Sequence, residues 1–394
     1  MKQFKKATII LQTLHENGHE AYFVGGSVRD LLLGRPLGDI DIATSAMPSE
    51  VMNIFPHHVP VGLEHGTVIV IEEGIPYEVT TFRVEEGYED YRHPKAVKFV
   101  RSLHEDLKRR DFTMNAIAMT KDGELIDPFF GQKAIEERKI VTVGDPHERF
   151  EEDALRMMRG VRFVSTLGFT LHEETKQAMV DNMHRLSHIA IERISAEFEK
   201  LLLGEFVTSA FPIITEVKMN LYLPGLEDKQ DGFLHAATYD WLMIEQDVEA
   251  WTFLLFLFGI EDELAVLKLW KPSSKKMNRI RKILHYLRER SKKQWDDMML
   301  YKAGEETAIM VEKLFSLISR HPAVQDISSK CRELPIHSRK ELAVTGHDIL
   351  GWSSMQPGPW VANILEEVEK AVLYRRVANV KEDIKEWLLS CKLL

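Results

Sequence analysis

Several features that would identify other classes of protein are scarce or missing in this sequence. It has only two cysteines, Cys331 and Cys391, which are too few for a disulfide framework or a cysteine zinc site and suit the reducing cytoplasm. No apolar run reaches the roughly 20 residues that span a bilayer, so we expect no membrane segment. Neither a GxxxxGK[ST] loop nor a GxGxxG loop occurs, which disfavours P-loop ATPases and dinucleotide-binding proteins.

An excess of positive charge is also missing. The chain has 51 Lys and Arg residues and 61 Asp and Glu residues, and the net charge of −10 by itself argues against a polyanionic partner. The basic residues are unevenly distributed, because residues 92–110 carry a net +5 and residues 271–293 a net +9, which leaves −24 for the rest of the chain. Net charge therefore conceals two basic segments that a nucleic acid could contact.

The spacing of apolar residues predicts an α+β fold in a chain of 394 residues, a length typical of two or three domains. The N-terminus forms an amphipathic helix that ends at Gly18 rather than a signal peptide, since no small-residue cleavage site follows. Up to about residue 140 we expect a mixed or antiparallel sheet with helices, and beyond 141 helical periodicity dominates. The predicted early elements are strands at 21–26, 39–44, 66–71 and 77–82, and helices at 27–34 and 48–55.

The segment GGSVRDLLLGRPLGDIDIAT combines three features within a short stretch. Gly25 and Gly26 lie between a predicted strand and a predicted helix, where backbone N–H groups and Arg29 can approach a phosphate. Asp39 and Asp41 follow at positions i and i+2 of a predicted strand, so both carboxylates point to one face. A glycine turn beside a solvated acidic strand edge is the alternative, but the combination favours a functional site.

The chemistry that fits this combination is nucleotidyl transfer. Two carboxylates beside a phosphate site suit Mg²⁺, which prefers oxygen ligands. One metal ion would lower the pKa of an attacking hydroxyl and a second would stabilise the departing pyrophosphate. The glycine backbone and Arg29 would hold a triphosphate in line. We therefore predict that Asp39 and Asp41 are both catalytic and metal-binding.

A second group of polar residues lies in KRRDFTMNAIAM, residues 108–119. Arg110 is a candidate contact for a phosphate or a sugar. Asp111 and Asn115 lie at helical i, i+4 spacing, so they either contact a ribose or brace a turn. The spacing alone does not distinguish these two roles.

The third group lies in RFEEDALRMMRGVRF, where Asp153, Arg156, Arg159 and Arg162 recur every three residues of a predicted helix. Three residues turn a helix by about 300°, so the four side chains cannot all address one point from one side. We expect Asp153 and Arg156 at one edge of a ligand, and Arg159 and Arg162 near its phosphates or bracing carboxylates. A surface helix with i, i+3 ion pairs is the alternative.

An aspartate and an arginine can select nucleobases without a template. Ionised Asp153 only accepts hydrogen bonds and Arg156 only donates them. Cytosine and adenine present an exocyclic amine donor beside an acceptor ring nitrogen, whereas guanine and uracil present the reverse order. Each mismatched buried group would cost about 1–3 kcal/mol, so the pair would accept CTP and ATP and reject GTP and UTP.

Together, GGSVRDLLLGRPLGDIDIAT, RRDFTMNAIAM and RFEEDALRMMRGVRF followed by IERIS resemble the successive motifs of class II tRNA nucleotidyltransferases, the bacterial CCA-adding enzymes of the polymerase-β-like superfamily. The resemblance covers the whole chain, including PGP at 357–359. It implies a polymerase-β-like palm followed by helical regions, and addition of C, C and A to the 3′ end of tRNA with Mg²⁺. The implied regions are a catalytic head at 1–140, a base-recognising neck at 141–205, a body at 206–300 and a tRNA-contacting tail at 301–394.

The resemblance also implies roles for single residues. Asp39 and Asp41 match the metal-binding carboxylates. A third metal carboxylate is not assigned, and Glu78 is either that residue or a structural one. The matching nucleotide contacts for ATP and CTP are Gly26, Arg29, Arg110, Asp153, Arg156, Arg159 and Arg162. The implied partners are CTP, ATP and tRNA, contacted at its 3′ end and acceptor-side backbone, and a homodimer is compatible with the sequence.

Related activities share these motifs, namely bacterial poly(A) polymerases and enzymes that divide the work into CC addition and A addition. CC-adding enzymes are described as lacking a flexible loop after the first motif. FRVEEGYEDYRHP at 82–94 resembles an intact loop of that kind and favours the complete C-C-A activity. A non-catalytic RNA-binding protein would predict a broken DxD pair, and a transferase for an antibiotic hydroxyl would predict no base-reading helix.

The basic run at 271–293 has two interpretations that can both hold. Lys275, Lys276 and Arg279 could follow the tRNA backbone, since phosphate contacts position a nucleic acid without reading its sequence. The run also reads as a solvated amphipathic helix that turns Ile280, Ile283, Leu284 and Leu287 towards the core. We expect the tryptophans to be core residues rather than base-stacking platforms, for example Trp241, Trp251 and Trp270.

Overall fold

The N-terminal part of the chain forms a mixed sheet surrounded by short helices. The computed structural model describes residues 2–88, 94–320 and 326–394. The strands of this part are β1 Ala21–Val24, β2 Asp41–Thr44, β3 His58–Pro60, β4 Thr67–Glu72, β5 Ile75–Thr81, β6 Arg83–Tyr88, β7 Pro94–Phe99, β8 Ala118–Met119 and β9 Leu125–Ile126. Its helices are α1 Lys2–Glu16, α2 Gly26–Leu32, α3 Pro48–Ile54, α4 Leu103–Lys108 and α5 Gly131–Glu136.

Seven of these strands pair in the order β3-β4-β5-β2-β1-β8-β9, and β6 pairs with β7 in a separate hairpin. Strands β2 and β5 run parallel, whereas the other neighbours in the large sheet are antiparallel. The predicted mixed sheet and α+β class are therefore confirmed. The predicted glycine pair follows the end of β1, and the predicted acidic pair lies at and just before the start of β2. Both strands are in the centre of the sheet.

The remainder of the chain is mainly helical. After the short strand β10 Lys139–Ile140, which pairs with β11 Thr170–Leu171, no further strand occurs among the described residues. The helices up to residue 236 are α6 Pro146–Glu152, α7 Leu155–Leu167, α8 Glu173–Asn182, α9 Ile191–Leu202, α10 Val207–Glu216 and α11 Gln230–Ala236. Those that follow are α12 Asp247–Leu257, α13 Glu263–Trp270, α14 Ser274–Arg290, α15 Asp297–Ala303, α16 Glu305–Ser319, α17 Ile327–Arg332, α18 Gly346–Trp352, α19 Trp360–Leu373 and α20 Lys381–Ser390.

The chain divides into two compact units. The first comprises Met1–Leu242 with Leu269–Lys271, and the second comprises Met243–Lys268 with Pro272–Leu394. The finer division into head, neck, body and tail stays a prediction. Across the ranges that the structure describes, no helix is both long and apolar enough to cross a membrane.

Helical spacing correctly predicted which faces are buried. In α1 the apolar residues Phe4, Ala7, Ile10, Leu11 and Leu14 are at most 5% exposed, and the helix ends before Gly18. In α14 the predicted core face is buried as well. The three tryptophans named from the sequence, Trp241, Trp251 and Trp270, are core residues.

The acidic strand is shorter than predicted. Strand β2 begins at Asp41, because its partner β1 ends at Val24, which pairs with Asp41. The next residue, Gly25, turns the chain away with a φ of 71°, so Asp39 has no strand partner on that side. Asp39 therefore precedes the strand and is exposed, and the expectation that both carboxylates lie on one strand is wrong.

The predicted loop at 82–94 falls partly outside the described residues. Residues Arg83–Tyr88 form β6 and pair with Pro94–Phe99 in β7, so this part is a hairpin rather than an irregular loop. Residues 89–93 lie outside the described residues. The inference that this segment supports the complete C-C-A activity stays a prediction.

Candidate active site

A cavity of about 650 Å³ lies in the first unit, where the end of β1, the start of β2 and the second half of β5 meet the segment after α4 and one side of α7. Of the nine predicted site residues, eight line this cavity: Gly26, Arg29, Asp41, Arg110, Asp153, Arg156, Arg159 and Arg162. The ninth, Asp39, is not among the described lining residues. The fold thus brings together three motifs that are far apart in the sequence.

The lining has a charge distribution suited to an anionic ligand. Among the described lining residues, seven are arginines and four are Asp or Glu. Two of the carboxylates come from adjacent strands, Asp41 from the start of β2 and Glu78 from the middle of β5, whereas the arginines come mainly from the segment after α4 and from α7. A polyphosphate bound through a cation to the carboxylates would therefore also meet arginine donors.

Gly25 separates the acidic strand end from the basic segment. A Cβ atom at this position would lie 3.1 Å from Nη1 of Arg110 and 3.4 Å from Oδ2 of Asp41. Its φ of 71° also lies in the region that favours glycine. Gly25 therefore permits an approach of Arg110 to Asp41 that a larger residue would obstruct, and the neighbouring Gly26 begins α2.

Arg29 is held in place from three sides. Its Nη1 donates to Oδ1 of Asn115 at 2.7 Å, and its Nε donates to Oδ1 of Asp30 at 2.9 Å. Its guanidinium lies 5.2 Å from the ring centre of Phe163, within cation–π range. The side chain is buried with few rotamers left to it, so it is oriented before any ligand binds.

The acidic side of the cavity is built by strand register. Asp41 and Glu78 are directly paired neighbours on the parallel strands β2 and β5. Burial, together with the negative charges of Glu78 and Asp39, raises the pKa of Asp41 to about 6, against the partial opposition of Arg110 and Arg29. The local charge therefore favours a cation beside Asp41.

These residues fit a divalent cation that shares its coordination with substrate. Among the described residues, no three His, Cys, Asp or Glu side chains are gathered into a metal-holding group. Mg²⁺ is commonly held by one or two carboxylates together with substrate phosphates, so a complete protein cage is not required. Asp41 offers a buried carboxylate with unbalanced negative charge around it, which matches that chemistry.

Asp111 braces a turn and an arginine. It accepts hydrogen bonds from the backbone N–H of Phe112 at 2.8 Å and from Nδ2 of Asn115 at 3.0 Å. Nε of Arg159 also donates to it, at 2.7 Å. Burial would raise the pKa of Asp111, but Arg159 and these hydrogen bonds outweigh it and hold the pKa at about 2. Of the two roles the sequence left open, the contacts favour bracing.

The helix predicted over 149–163 is interrupted at Asp153. The backbone there is extended, with φ −140° and ψ 104°, and α7 starts two residues later. Oδ1 of Asp153 accepts from the N–H of Leu155 at 3.0 Å, which caps the new helix, and Nη2 of Arg193 donates to Oδ2 at 2.7 Å. The predicted continuous i, i+3 geometry is therefore wrong for Asp153.

Arg156 lies in the cavity wall, and other residues of the protein accept hydrogen bonds from its guanidinium. Nη1 donates to Glu152 at 2.6 Å, and Nη2 donates to the carbonyl of Arg109 at 2.9 Å. A nucleobase at this position would share these donors with the protein. The contacts fix the plane of the guanidinium, which is the requirement for reading one edge of a base.

Two further arginines of α7 converge on one aromatic ring. The guanidinium of Arg162 lies 4.1 Å and that of Arg159 5.6 Å from the ring centre of Phe163. Arg162 also pairs with the buried Glu197 of α9. The sequence left two roles open for Arg159 and Arg162, near phosphates or bracing carboxylates, and the structure shows that each pairs with a carboxylate that the sequence did not identify.

Several residues that line the cavity or hold its side chains were missed from the sequence, among them Asp106, Phe163, Arg193 and Glu197. Asp106 had a visible signal, since it lies three and four residues before Arg109 and Arg110, the spacing of ion pairs on a helix. Arg193 and Glu197 lie in or beside the IERIS segment but contact residues 40 and 35 positions away, which no local pattern encodes.

Comparison with known proteins identifies the family. Residues 21–141 match the Poly A polymerase head domain, 168–229 the RNA and SrmB-binding site of polymerase A, and 242–388 the tRNA nucleotidyltransferase domain 2. A CCA-adding enzyme from Bacillus cereus is 55% identical over 397 residues, with full coverage of both chains. The chain belongs to the CCA-adding enzyme family. The resemblance, the enzyme class and the fold predicted from the motifs are confirmed.

Solved structures agree with the family. The Bacillus stearothermophilus CCA-adding enzyme in complex with CTP is 46% identical, with a TM-score of 0.93, and the match covers 99% of this chain and 97% of that one. The Thermotoga maritima CCA-adding enzyme complexed with tRNA is 18% identical with a TM-score of 0.65, over 99% of this chain and 95% of that one. The second likeness concerns the fold alone.

Proposed function

We propose that this protein adds C, C and A from CTP and ATP to the 3′ end of tRNA, without a nucleic-acid template. The observation that carries the proposal is the single cavity in which the carboxylate Asp41, the glycine turn and the arginines of three motifs meet. The relative that it matches with a TM-score of 0.93 is a complex with CTP, which supports a nucleotide in this cavity.

Family membership also supports the binding of a divalent cation in this cavity. Nucleotidyltransferases of this family use a divalent metal, and we propose Mg²⁺ held by Asp39 and Asp41 with Glu78 beside them. When bound, the ion would polarise the reacting oxygens and offset the negative charge of the triphosphate. Asp39 would have to approach from its exposed position ahead of β2.

The arginines supply the remaining electrostatic stabilisation. Arg29 and Arg110 lie beside the glycine turn and would orient the triphosphate so that the 3′ hydroxyl of tRNA attacks in line. Arg159 and Arg162, held by Asp111 and Glu197, would contact the nucleotide from α7. Gly26 would offer its backbone rather than a side chain.

Base selection is proposed to rest on Asp153 and Arg156. Both line the cavity, and each is held by protein partners that restrict its orientation. Asp153 would accept from the exocyclic amine and Arg156 would donate to the ring nitrogen. CTP and ATP satisfy both contacts, whereas GTP and UTP would set a carbonyl acceptor against Asp153 and a ring N–H donor against Arg156.

The larger organisation is proposed from the family resemblance. The head at 1–140 would perform catalysis, the neck at 141–205 base selection, and the body at 206–300 and tail at 301–394 tRNA binding. We propose a cytoplasmic enzyme that contacts the acceptor-side backbone of tRNA. A homodimer is the assembly to test by light scattering.

Nucleotide incorporation tests the activity directly. Three tRNAs are used, ending before the CCA, after the first C and after the second C, with each NTP alone and in pairs. We expect CMP addition to the first two, AMP addition to the third, and termination after A. Addition of C alone would indicate a CC-adding enzyme, and long A tails would indicate a poly(A) polymerase.

The metal assignment is tested by Asp41→Ala. Loss of the buried carboxylate should reduce transfer to background while tRNA binding, measured by filter binding, stays near that of the unaltered protein. Asp122→Ala removes an exposed carboxylate of the same unit and serves as the matched control. Turnover retained by Asp41→Ala would refute the assignment.

A further inference from the structure

Two arginine side chains of the cavity wall meet at one buried carboxylate outside the cavity lining. Asp106, in α4, is 1% exposed. Its Oδ1 accepts from Nε and Nη2 of Arg109 at 3.0 and 2.8 Å, and its Oδ2 accepts from Nη2 of Arg110 at 3.1 Å. The backbone N–H of Arg83 also donates to Oδ1 at 3.4 Å. One carboxylate thus joins the beginning of β6 to the segment after α4.

The position of Arg110 is decided by this contact. With Nη2 on Asp106, its Nη1 donates to the carbonyl of Asn115 at 3.3 Å and lies beside Gly25, close to Asp41. Nε of Arg110 is buried with no hydrogen-bond partner among the described residues. The Asp106 contact therefore turns the cationic end of Arg110 towards the acidic strand end.

The same carboxylate also holds Arg109, but through its side chain and not through the backbone carbonyl that bonds the base-reading Arg156. The side chain of Arg109 is fixed by two hydrogen bonds to Asp106, and its carbonyl accepts Nη2 of Arg156 at 2.9 Å. A buried carboxylate that satisfies two arginines is costly to leave unpaired, so the arrangement is held firmly. Asp106 orients Arg109 and Arg110, which line the cavity, but does not itself line it.

We propose that Asp106 is a positioning residue for nucleotidyl transfer, which holds Arg110 beside Gly25 so that its guanidinium meets the triphosphate of either nucleotide. This inference rests on the proposed function. Because Asp106 acts on the phosphate side rather than on the base-reading pair, it affects CTP and ATP alike and leaves the choice between them unchanged.

The test compares Asp106→Asn with Glu105→Gln, the same carboxylate-to-amide change one residue earlier at a side chain whose partner is His104. Asp106→Asn should raise the KM for CTP and for ATP by a similar factor, roughly tenfold, as expected for loss of one charge-assisted hydrogen bond. The ratio of CMP to AMP incorporation should not change, and Glu105→Gln should behave as the unaltered protein.

A double variant separates positioning from general support of the fold. In an Arg110→Gln background, Asp106→Asn should raise KM little further, because its effect passes through Arg110. A lowered melting temperature with unchanged KM, or additive effects on KM in the double variant, would overturn the proposal.

Two controls complete the design. If Asp106→Asn does not fold, Asp106→Glu keeps the charge and shifts the carboxylate, and the same rise in KM at an unchanged melting temperature is expected. An unchanged KM would then overturn the proposal. An unaltered protein that incorporates no nucleotide would refute the proposed function itself, whereas normal incorporation with no KM effect of Asp106 would refute only its positioning role.

Discussion

Both the backbone angle and the surroundings of Gly25 disfavour any residue with a Cβ atom. Its φ of 71° is unfavourable for residues with a Cβ atom, and an added Cβ would press on Nη1 of Arg110 at 3.1 Å. Gly18 shares only the first constraint, since its φ is 84° and nothing lies within 4 Å of an added Cβ. Substitutions at the two positions therefore separate the effect of backbone strain from the effect of displacing Arg110 in the cavity wall.

We expect Gly25→Ala to lower the rate of nucleotide incorporation by on the order of 100-fold, because small displacements of positioned groups are costly to reaction rates. Gly18→Ala should lower stability by about 1 kcal/mol through strain and leave the rate unchanged. Incorporation rates and urea unfolding measure the two effects. Equal losses of activity in the two variants would contradict this account.

Asp41 makes cation binding depend on pH. Its pKa of about 6 lies above the usual carboxyl value, so below pH 6 a cation must displace a proton. We expect the apparent affinity for Mn²⁺, measured calorimetrically without nucleotide, to fall about tenfold per pH unit below 6 and to level off above 7. Asp41→Asn should bind weakly at every pH, and an affinity independent of pH would contradict the expectation.

The same raised pKa has a consequence for stability. Because the folded pKa exceeds the unfolded one, stability is lost as pH rises from about 4 through 6, when the folded protein must ionise Asp41 beside Glu78. A bound divalent cation removes that cost. Divalent cations should therefore raise the melting temperature more at pH 8 than at pH 5.

At the scale of elements, the break between α6 and α7 decides how Asp153 is presented. A continuous helix would carry Asp153 in line with Arg156, but the extended backbone at Asp153 instead lets its carboxylate cap α7 and meet Arg193 of α9. One side chain therefore combines a structural contact with a place in the cavity wall. The two roles can be separated by substitution.

Asp153→Asn keeps an oxygen that can cap α7 but adds a donor where only an acceptor fits the exocyclic amine of cytosine or adenine. We expect misincorporation of UMP and GMP to rise at least tenfold relative to CMP and AMP, with little change in melting temperature. Asp153→Ala should lose both selectivity and about 1 kcal/mol of stability. The matched control is Glu151→Ala, which removes an exposed carboxylate paired with Arg185. Unchanged selectivity in Asp153→Asn would refute the base-reading role.

At the scale of the whole molecule, the two basic stretches have different positions. The stretch at 92–110 supplies Arg109 and Arg110 to the wall of the candidate active site. The stretch at 271–293 contains the whole of α14, which lies in the second unit and turns an apolar face to the core. Of the three residues first suggested for tRNA binding, Lys276 pairs with Asp247 and Arg279 with Glu306, which reduces their charge towards a partner.

The exposed face of α14 gives a sharper test of tRNA binding. Lys275 and Lys282 are exposed and seven residues apart, so they lie on one face of the helix. Replacing both by Ala should weaken tRNA binding and lower the slope of log Kd against log salt by one to two units, about 0.7–0.9 per phosphate contact. Lys5→Ala with Lys6→Ala removes the same charge from α1. An equal effect of the two double variants would show that only net charge matters.

Local patterns predicted much of this protein because the relevant interactions are close in sequence. Helical spacing predicted the buried face of α1, and two β-rich segments separated by a turn predicted β4 and β5, since these patterns are local in the sequence. Errors arose where a distant partner decided the outcome. Strand β2 starts at Asp41 because β1 ends opposite it, and α7 starts late because Asp153 caps it.

The sequence by itself determined the chemistry: a glycine turn, neighbouring aspartates and spaced arginines predict nucleotidyl transfer wherever they are placed together. Only the tertiary structure decided which carboxylate holds which arginine between distant elements, with Asp111 on Arg159, Glu197 on Arg162 and Asp153 on Arg193. The physical reason is that an arginine pairs with the acceptor nearest in space. Folding brings acceptors from other elements within 3 Å, and periodicity along the chain carries no information about them.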